Sequence, residues 1–171
     1  MDDVQAQSSL TYSQNYAAVR VEQAWSLSSA YSASNRPIVA IIDTGVDGSH
    51  NLFTRTNALW ANPKEIPGNG VDDDQNGYID DINGWNFITN SPAYADDEGH
   101  GTHVAGIVVG AGLDVFSPQL DQSKIRIMPL KFLDKQGAGS TSNAVKAIYY
   151  AVNNGAKVIN NSWRSEEHTS E

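Results

Sequence analysis

Asp43 closes an apolar run, Ile38-Val-Ala-Ile-Ile-Asp43, and the chain turns at once on Gly45. His100 stands between Gly99 and Gly101 and opens a second run, His100-Gly-Thr-His-Val-Ala-Gly106. A carboxylate at a strand end can hold an imidazole in one tautomer and stabilise the imidazolium. An imidazole at a helix start can take a proton and return it. Together they are two parts of a hydrolytic triad whose third part is an activated serine. The helix N-terminus favours neutral imidazole, a carboxylate partner pulls the other way, and the ring is poised near neutrality. The serine cannot be placed in the sequence. Ser162, in Asn160-Asn161-Ser162-Trp163, lacks the small flanking residues and the sharp turn of an exposed nucleophile.

Two metal chemistries are also open. In Asp72-Asp-Asp-Gln-Asn-Gly-Tyr-Ile-Asp-Asp81, the side chains of Asp72, Asp74 and Asn76 alternate and Gly77 permits a sharp turn. Tyr78 offers its carbonyl and Asp80 a further oxygen, which follows the first nine positions of a calcium loop. The twelfth position is Asn83 instead of a bidentate glutamate, so Asp81 is expected to supply the missing oxygen. So many carboxylates close together point to a cation, and calcium is the expected one; the alternative is a solvated acidic turn. The other option is a metal shared by His100 and His103, three apart on a helix, with Asp43 or Asp47. His103 otherwise reads as a packing or hydrogen-bonding residue, and His50 as a structural loop residue.

These groups need a scaffold. Ile38 to Ile42 is β-branched-rich and continuous, as in a strand buried on both faces. A helix is expected over Val19 to Tyr31 and another from His100 to Gly112. Strands are expected at Trp85 to Ile88, Lys124 to Leu133 and Val158 to Ser162. Between the last two, Ser140 or Thr141 caps a helix whose apolar face is Ala144, Val145, Ile148, Ala151 and Val152, ending at Asn154-Gly155. Residues 48 to 83 read as one long loop, and a loop of that length is usually functional. Strands alternating with helices predict an α/β fold with a mainly parallel sheet.

The chain has 171 residues, one domain or part of one, with 40% hydrophobic residues, enough for a core. Its net charge of −9 and scattered basic residues exclude a nucleic-acid partner. The absence of cysteine excludes disulfides and thiol catalysis. No apolar run reaches the length of a membrane span, and the polar, acidic N-terminus is not a signal peptide. The polar octapeptide Arg164-Ser-Glu-Glu-His-Thr-Ser-Glu171 breaks off a buried strand. It resembles the translation of a sequencing-library adapter and is left out of the fold expectation.

Taken in order, IVAIIDTGVD and GHGTHVAGI resemble the aspartate and histidine motifs of the subtilases, the subtilisin-like serine proteases. VEQAW, NGVDDDQNGYIDDINGWNF and KIRIMPLKFLDKQGAGSTSNAVKAIYYAVNNGAKVINNSW extend the resemblance over residues 13 to 163. It implies a three-layer α/β/α subtilisin-like domain, incomplete here, with residues 1 to 12 a leader or propeptide remnant. It implies Asp43 as the orienting acid and His100 as the general base of a serine endopeptidase. Ser162 and Trp163 would begin the strand that pairs with the substrate backbone and walls its primary side-chain pocket. The family's oxyanion-hole asparagine and serine motif are absent, so the chain is expected to be inactive alone. A polypeptide substrate, structural calcium, a propeptide partner and secretion are implied. A non-catalytic calcium-binding domain of the same fold, or a metal-dependent hydrolase using His100 and His103, are the other readings.

Overall fold

The computed structural model describes residues 36–110 and 123–163. The expected helix over Val19 to Tyr31, the leader and the terminal octapeptide lie outside the described residues. Four strands, β1 (Ile38–Asp43), β2 (Trp85–Asn86), β3 (Arg126–Lys131) and β4 (Val158–Asn160), form one sheet in the order β2-β3-β1-β4. The four strands pair in parallel, with Asp43 beside Lys131, Val39 beside Val158 and Trp85 beside Leu130. The helices among the described residues are α1 (Asn51–Arg55), α2 (His100–Val109) and α3 (Thr141–Asn153).

The period-two rule of a strand explains how β1 builds two cores at once. Ala40 and Ile42 face one way, with Met128 and Leu130, onto Ala144, Ala147, Tyr150 and Ala151 of α3. Val39 and Ile41 face the other way, with Ile127, onto Ala105 and Val109 of α2 and Phe53 of α1. Helices therefore cover both faces of the sheet. Ile41 and Ile42 are fully buried, each worth about 1.5–3 kcal/mol of transfer free energy. Among the described residues, no helix is long and apolar enough to cross a membrane.

Several elements differ from the sequence expectation. β2 stops at Asn86, because Asn86 turns its carboxamide oxygen onto the amides of Ile88 and Thr89 and ends the extended run. β3 is trimmed at both ends and β4 stops at Asn160. The loop from residue 48 contains α1, a single turn too short to show a period, capped by the His50 ring accepting from the Leu52 amide at 3.2 Å. The α3 helix is rotated from its expected face. Val145 and Val152 are exposed, while Ala147 and Tyr150 point inward. Alanines let the helix approach the sheet, and Tyr150 can be buried because its hydroxyl meets the carboxylate of Asp81 at 2.6 Å. Ser140 caps α3, accepting from the Asn143 amide at 3.2 Å.

Candidate active site

Asp43 is the last residue of β1 and His100 the first of α2, so the site begins at the carboxyl end of the central strands. Their approach requires two glycines. A Cβ on Gly101 would run into the carbonyl oxygen of Gly45, and Gly45 itself has φ of 113°, pressed against the carbonyls of Tyr94 and Ala95. Helix and turn thus meet backbone to backbone. His100 Nδ1 lies 2.8 Å from Asp43 Oδ1, which also accepts from the Thr44 amide at 2.7 Å. A carboxylate only accepts, so Nδ1 carries the proton and Nε2 presents its lone pair. Asp43 is fully buried, whereas the His100 side chain is 46% exposed. The hydrogen bond to Asp43 pushes the His100 pKa above 6.5. Burial opposes this, and the charges of Asp43, Glu98 and Asp96 add to it. Asp43 Oδ2 is buried with no hydrogen-bond partner among the described residues.

The loop ahead of His100 is held at three acidic residues in succession. Asp96 Oδ1 accepts from the Thr44 hydroxyl at 2.9 Å and the amides of Gly99 and Glu98 at 2.9 and 3.1 Å. Its Oδ2 accepts from the amide of Thr102 at 2.9 Å and from the Thr102 hydroxyl. Burial would raise this carboxyl, but the bonds from Thr102, Gly99 and Glu98 hold it down at about 2. Asp97 pairs at 2.7 Å with Nζ of Lys131, a nearly buried lysine that also donates to the carbonyls of Thr44 and Leu133. Glu98 accepts from the His100 amide at 2.8 Å. Sequence reasoning passed over Thr44, Asp96, Thr102 and Lys131. The run Asp96-Asp-Glu-Gly99 just before a helix was the available signal for Asp96.

Carboxylate oxygens of Glu65, Asp72 and Asp74 lie within 4.8 Å of one another. Asp80 is not one of this group; its two oxygens accept from the amides of Gly68 and Gly70 at 2.7 and 3.0 Å. Asp81 is fully buried and bonded to Asn62, Asn76 and Tyr150. Burial raises its pKa, the three hydrogen bonds oppose the rise, and Asp74 adds to it. The Asn76 oxygen accepts from the Tyr78 amide at 2.8 Å. Glu65, which no spacing singled out, joins Asp72 and Asp74 in this group. It accepts from the amides of Asp73, Asp74 and Asp80 and so closes the loop on itself.

His103 is exposed on α2, and the structure brings no third ligand to it and His100 among the described residues. Ser162 is exposed, its hydroxyl donating to Asn160 at 2.7 Å, and Trp163 packs edge-on against Phe132 at 4.9 Å. Both lie past the end of β4, at the same carboxyl end of the sheet as Asp43.

The model of the subtilase family matches residues 34–171. The chain belongs to the subtilase family. Among its relatives, the subtilisin-like protease 1 of Plasmodium berghei (strain Anka) is 34% identical over 77% of this chain and 22% of its own length. The cell wall-associated protease of Bacillus subtilis (strain 168) is 34% identical over 74% of this chain and 12% of its own length. This subtilase segment therefore spans about a fifth or less of the length of these curated relatives. A solved lanthipeptide protease is 30% identical, with a TM-score of 0.48, over 74% of this chain and 28% of that one.

Proposed function

We propose that this segment carries the acid and the base of a subtilisin-type serine endopeptidase. The observation behind the reading is the 2.8 Å contact between a buried strand-end aspartate and a half-exposed helix-start histidine in a subtilase sequence. In the complete enzyme a serine hydroxyl, supplied by a further segment, attacks the peptide carbonyl. His100 Nε2 takes its proton and delivers it to the leaving amine, while Asp43 fixes the ring and stabilises the imidazolium. Oxyanion donors would come from the same further segment, and Ser162 and Trp163 would wall the substrate cleft. On this reading the nucleophile comes from the further segment, so the 171-residue chain alone is expected not to turn over peptides. A propeptide partner and secretion belong to this reading.

Calcium is proposed for the acidic loop. The donor chemistry fits, because Glu65, Asp72 and Asp74 offer hard carboxylate oxygens from one compact loop. Bound calcium would offset their mutual repulsion and brace the loop. Asp81 and Tyr150 tie that loop to α3.

The test is peptide cleavage by the full-length protein, with and without a serine-directed covalent inhibitor, beside His100→Ala. Inhibitor-sensitive cleavage that vanishes in the variant is the expected result. A folded full-length protein that neither cleaves nor reacts with the inhibitor refutes the peptidase reading and leaves a calcium-binding domain. Cleavage by the 171-residue chain alone overturns the assignment of the nucleophile to another segment.

A further inference from the structure

We propose that Asp96 is a positioning residue for the Asp43–His100 pair, locking the strand end that carries the acid to the helix turn that carries the base. The proposal rests on the peptidase reading and adds to it a group that touches neither reacting side chain.

The need for such a group follows from where His100 sits. It is the first residue of α2, in a turn whose amides have no helical partners, and helix ends fray. The residue at the N-cap position, Gly99, has no side chain with which to hold that turn. The Asp43 end of the pair is rigid, being the buried end of a central strand. Glu98 accepts from the His100 amide but is itself exposed, so without a tie to the strand the 2.8 Å contact would join a fixed group to a loose one.

Asp96 supplies the tie. One of its oxygens reaches the amide of Gly99, just before His100, and the other reaches Thr102, just after Gly101. The first oxygen also takes the hydroxyl of Thr44, the residue after Asp43. Thr44 returns the connection, its Oγ accepting from the Gly101 amide at 3.0 Å. The Thr102 hydroxyl, donated to Asp96, accepts in turn from the Asp47 amide at 2.9 Å. Thus Asp43 and His100 are each flanked by residues bonded to one carboxylate, and the loop closes without passing through either. A carboxylate at a helix N-terminus also suits the positive end of the helix dipole. Held ionised down to about pH 2, it serves as a pure acceptor across the working range. Positioning of this kind matters because a displacement of about 1 Å can cost about a hundredfold in rate.

The variants that separate positioning from charge are neutral. Thr102→Val deletes one donor to Asp96 and alters no charge, whereas Thr102→Ser keeps the hydroxyl. The readout in the full-length protein is the titration midpoint of the His100 ring by NMR, its signal identified by loss in His100→Ala. Thr102→Val is expected to lower the midpoint by several tenths of a pH unit, since a looser ring loses part of its bond to Asp43. Thr102→Ser is expected to restore it. Alongside, kcat per titrated active site should fall about three- to tenfold with KM unchanged. If Thr102→Val does not fold, Thr44→Val reads the same tie from the strand side. A folded valine variant that titrates with the wild type overturns the proposal, and a lowered melting temperature with an unmoved midpoint gives these residues a merely structural role. The NMR titration needs no turnover. Failure of the wild type to cleave peptides therefore counts against the peptidase reading alone.

Discussion

Tyr150→Phe removes one oxygen atom and tests how the acidic loop is joined to the rest of the molecule. Tyr150 is 2% exposed, its ring meeting Tyr78 edge-on at 4.9 Å and Phe87 at 6.0 Å. Phenylalanine keeps those contacts. What disappears is the 2.6 Å hydrogen bond to Asp81 Oδ2, inside the protein. A hydrogen bond to a charged group contributes about 1.5–3 kcal/mol, and more when its loss leaves a buried acceptor unsatisfied. Oδ2 keeps the Asn76 side-chain Nδ2 at 3.0 Å and Oδ1 keeps that of Asn62 at 2.9 Å, so the carboxylate is not orphaned. The expected cost is therefore about 2 kcal/mol, in the middle of that range. For a domain of 150–250 residues this lowers Tm by about 4–8 °C. The measurement is a urea or thermal melt of the full-length protein, blocked with a covalent inhibitor so that self-digestion does not contribute. A midpoint within about 1 °C of wild type, with the fold intact, would show that the Tyr150–Asp81 bond does not tie loop to helix.

Three further outcomes are expected. Asp43→Asn should leave the fold in place and reduce kcat of the full-length enzyme by about four orders of magnitude, because the imidazole loses its tautomeric lock; near wild-type turnover would remove Asp43 from the chemistry. Saturating calcium should raise the melting temperature, and Glu65→Gln should shrink that rise; equal melting in calcium and in chelator would make the loop a solvated turn. Asp96 has a folded pKa of about 2 against an ordinary 3.8, so its stabilisation is present above pH 4 and fades as the pH falls towards 2. After solvent screening it is worth about 1–2 kcal/mol, so an Asp96→Ala protein should lose less stability than wild type on acidification over that interval.

The sheet was legible because burial on both faces leaves a plain mark. Ile38 to Ile42 and Ile125 to Phe132 carry apolar residues where two helical layers must cover them. The helix ends were legible where chemistry marks them, at Ser140 and at Asn154-Gly155. The inner face of α3 was not. Hydropathy prefers Val145 and Val152 to Tyr150, and only the approach of Asp81 from a loop about seventy residues away makes tyrosine the better core residue. The same limit explains Glu65. Alternation within residues 72–81 identifies carboxylates that are neighbours in sequence, and Glu65 joins them by folding back on the amides of Asp73, Asp74 and Asp80.

The two reacting groups and the groups that hold them differ in the same way. Asp43 and His100 could be read because each sits at a boundary that hydrophobic patterning defines, a strand end and a helix start. Their separation in space could not, since parallel strands and their crossovers bring together residues 57 apart in the chain. Lys131 shows why. It lies beside Asp43 in the sheet register, so its ammonium emerges where the strands end, and there it binds Thr44, Leu133 and Asp97 at once. A lysine among Leu130, Phe132 and Leu133 looks misplaced in sequence. In the fold it satisfies two carbonyls left at strand ends and pairs with the loop ahead of the histidine. A charged residue interrupting a buried strand at its carboxyl end therefore signals that a second segment must arrive to meet it. Here that segment is the acidic loop that delivers His100 to Asp43.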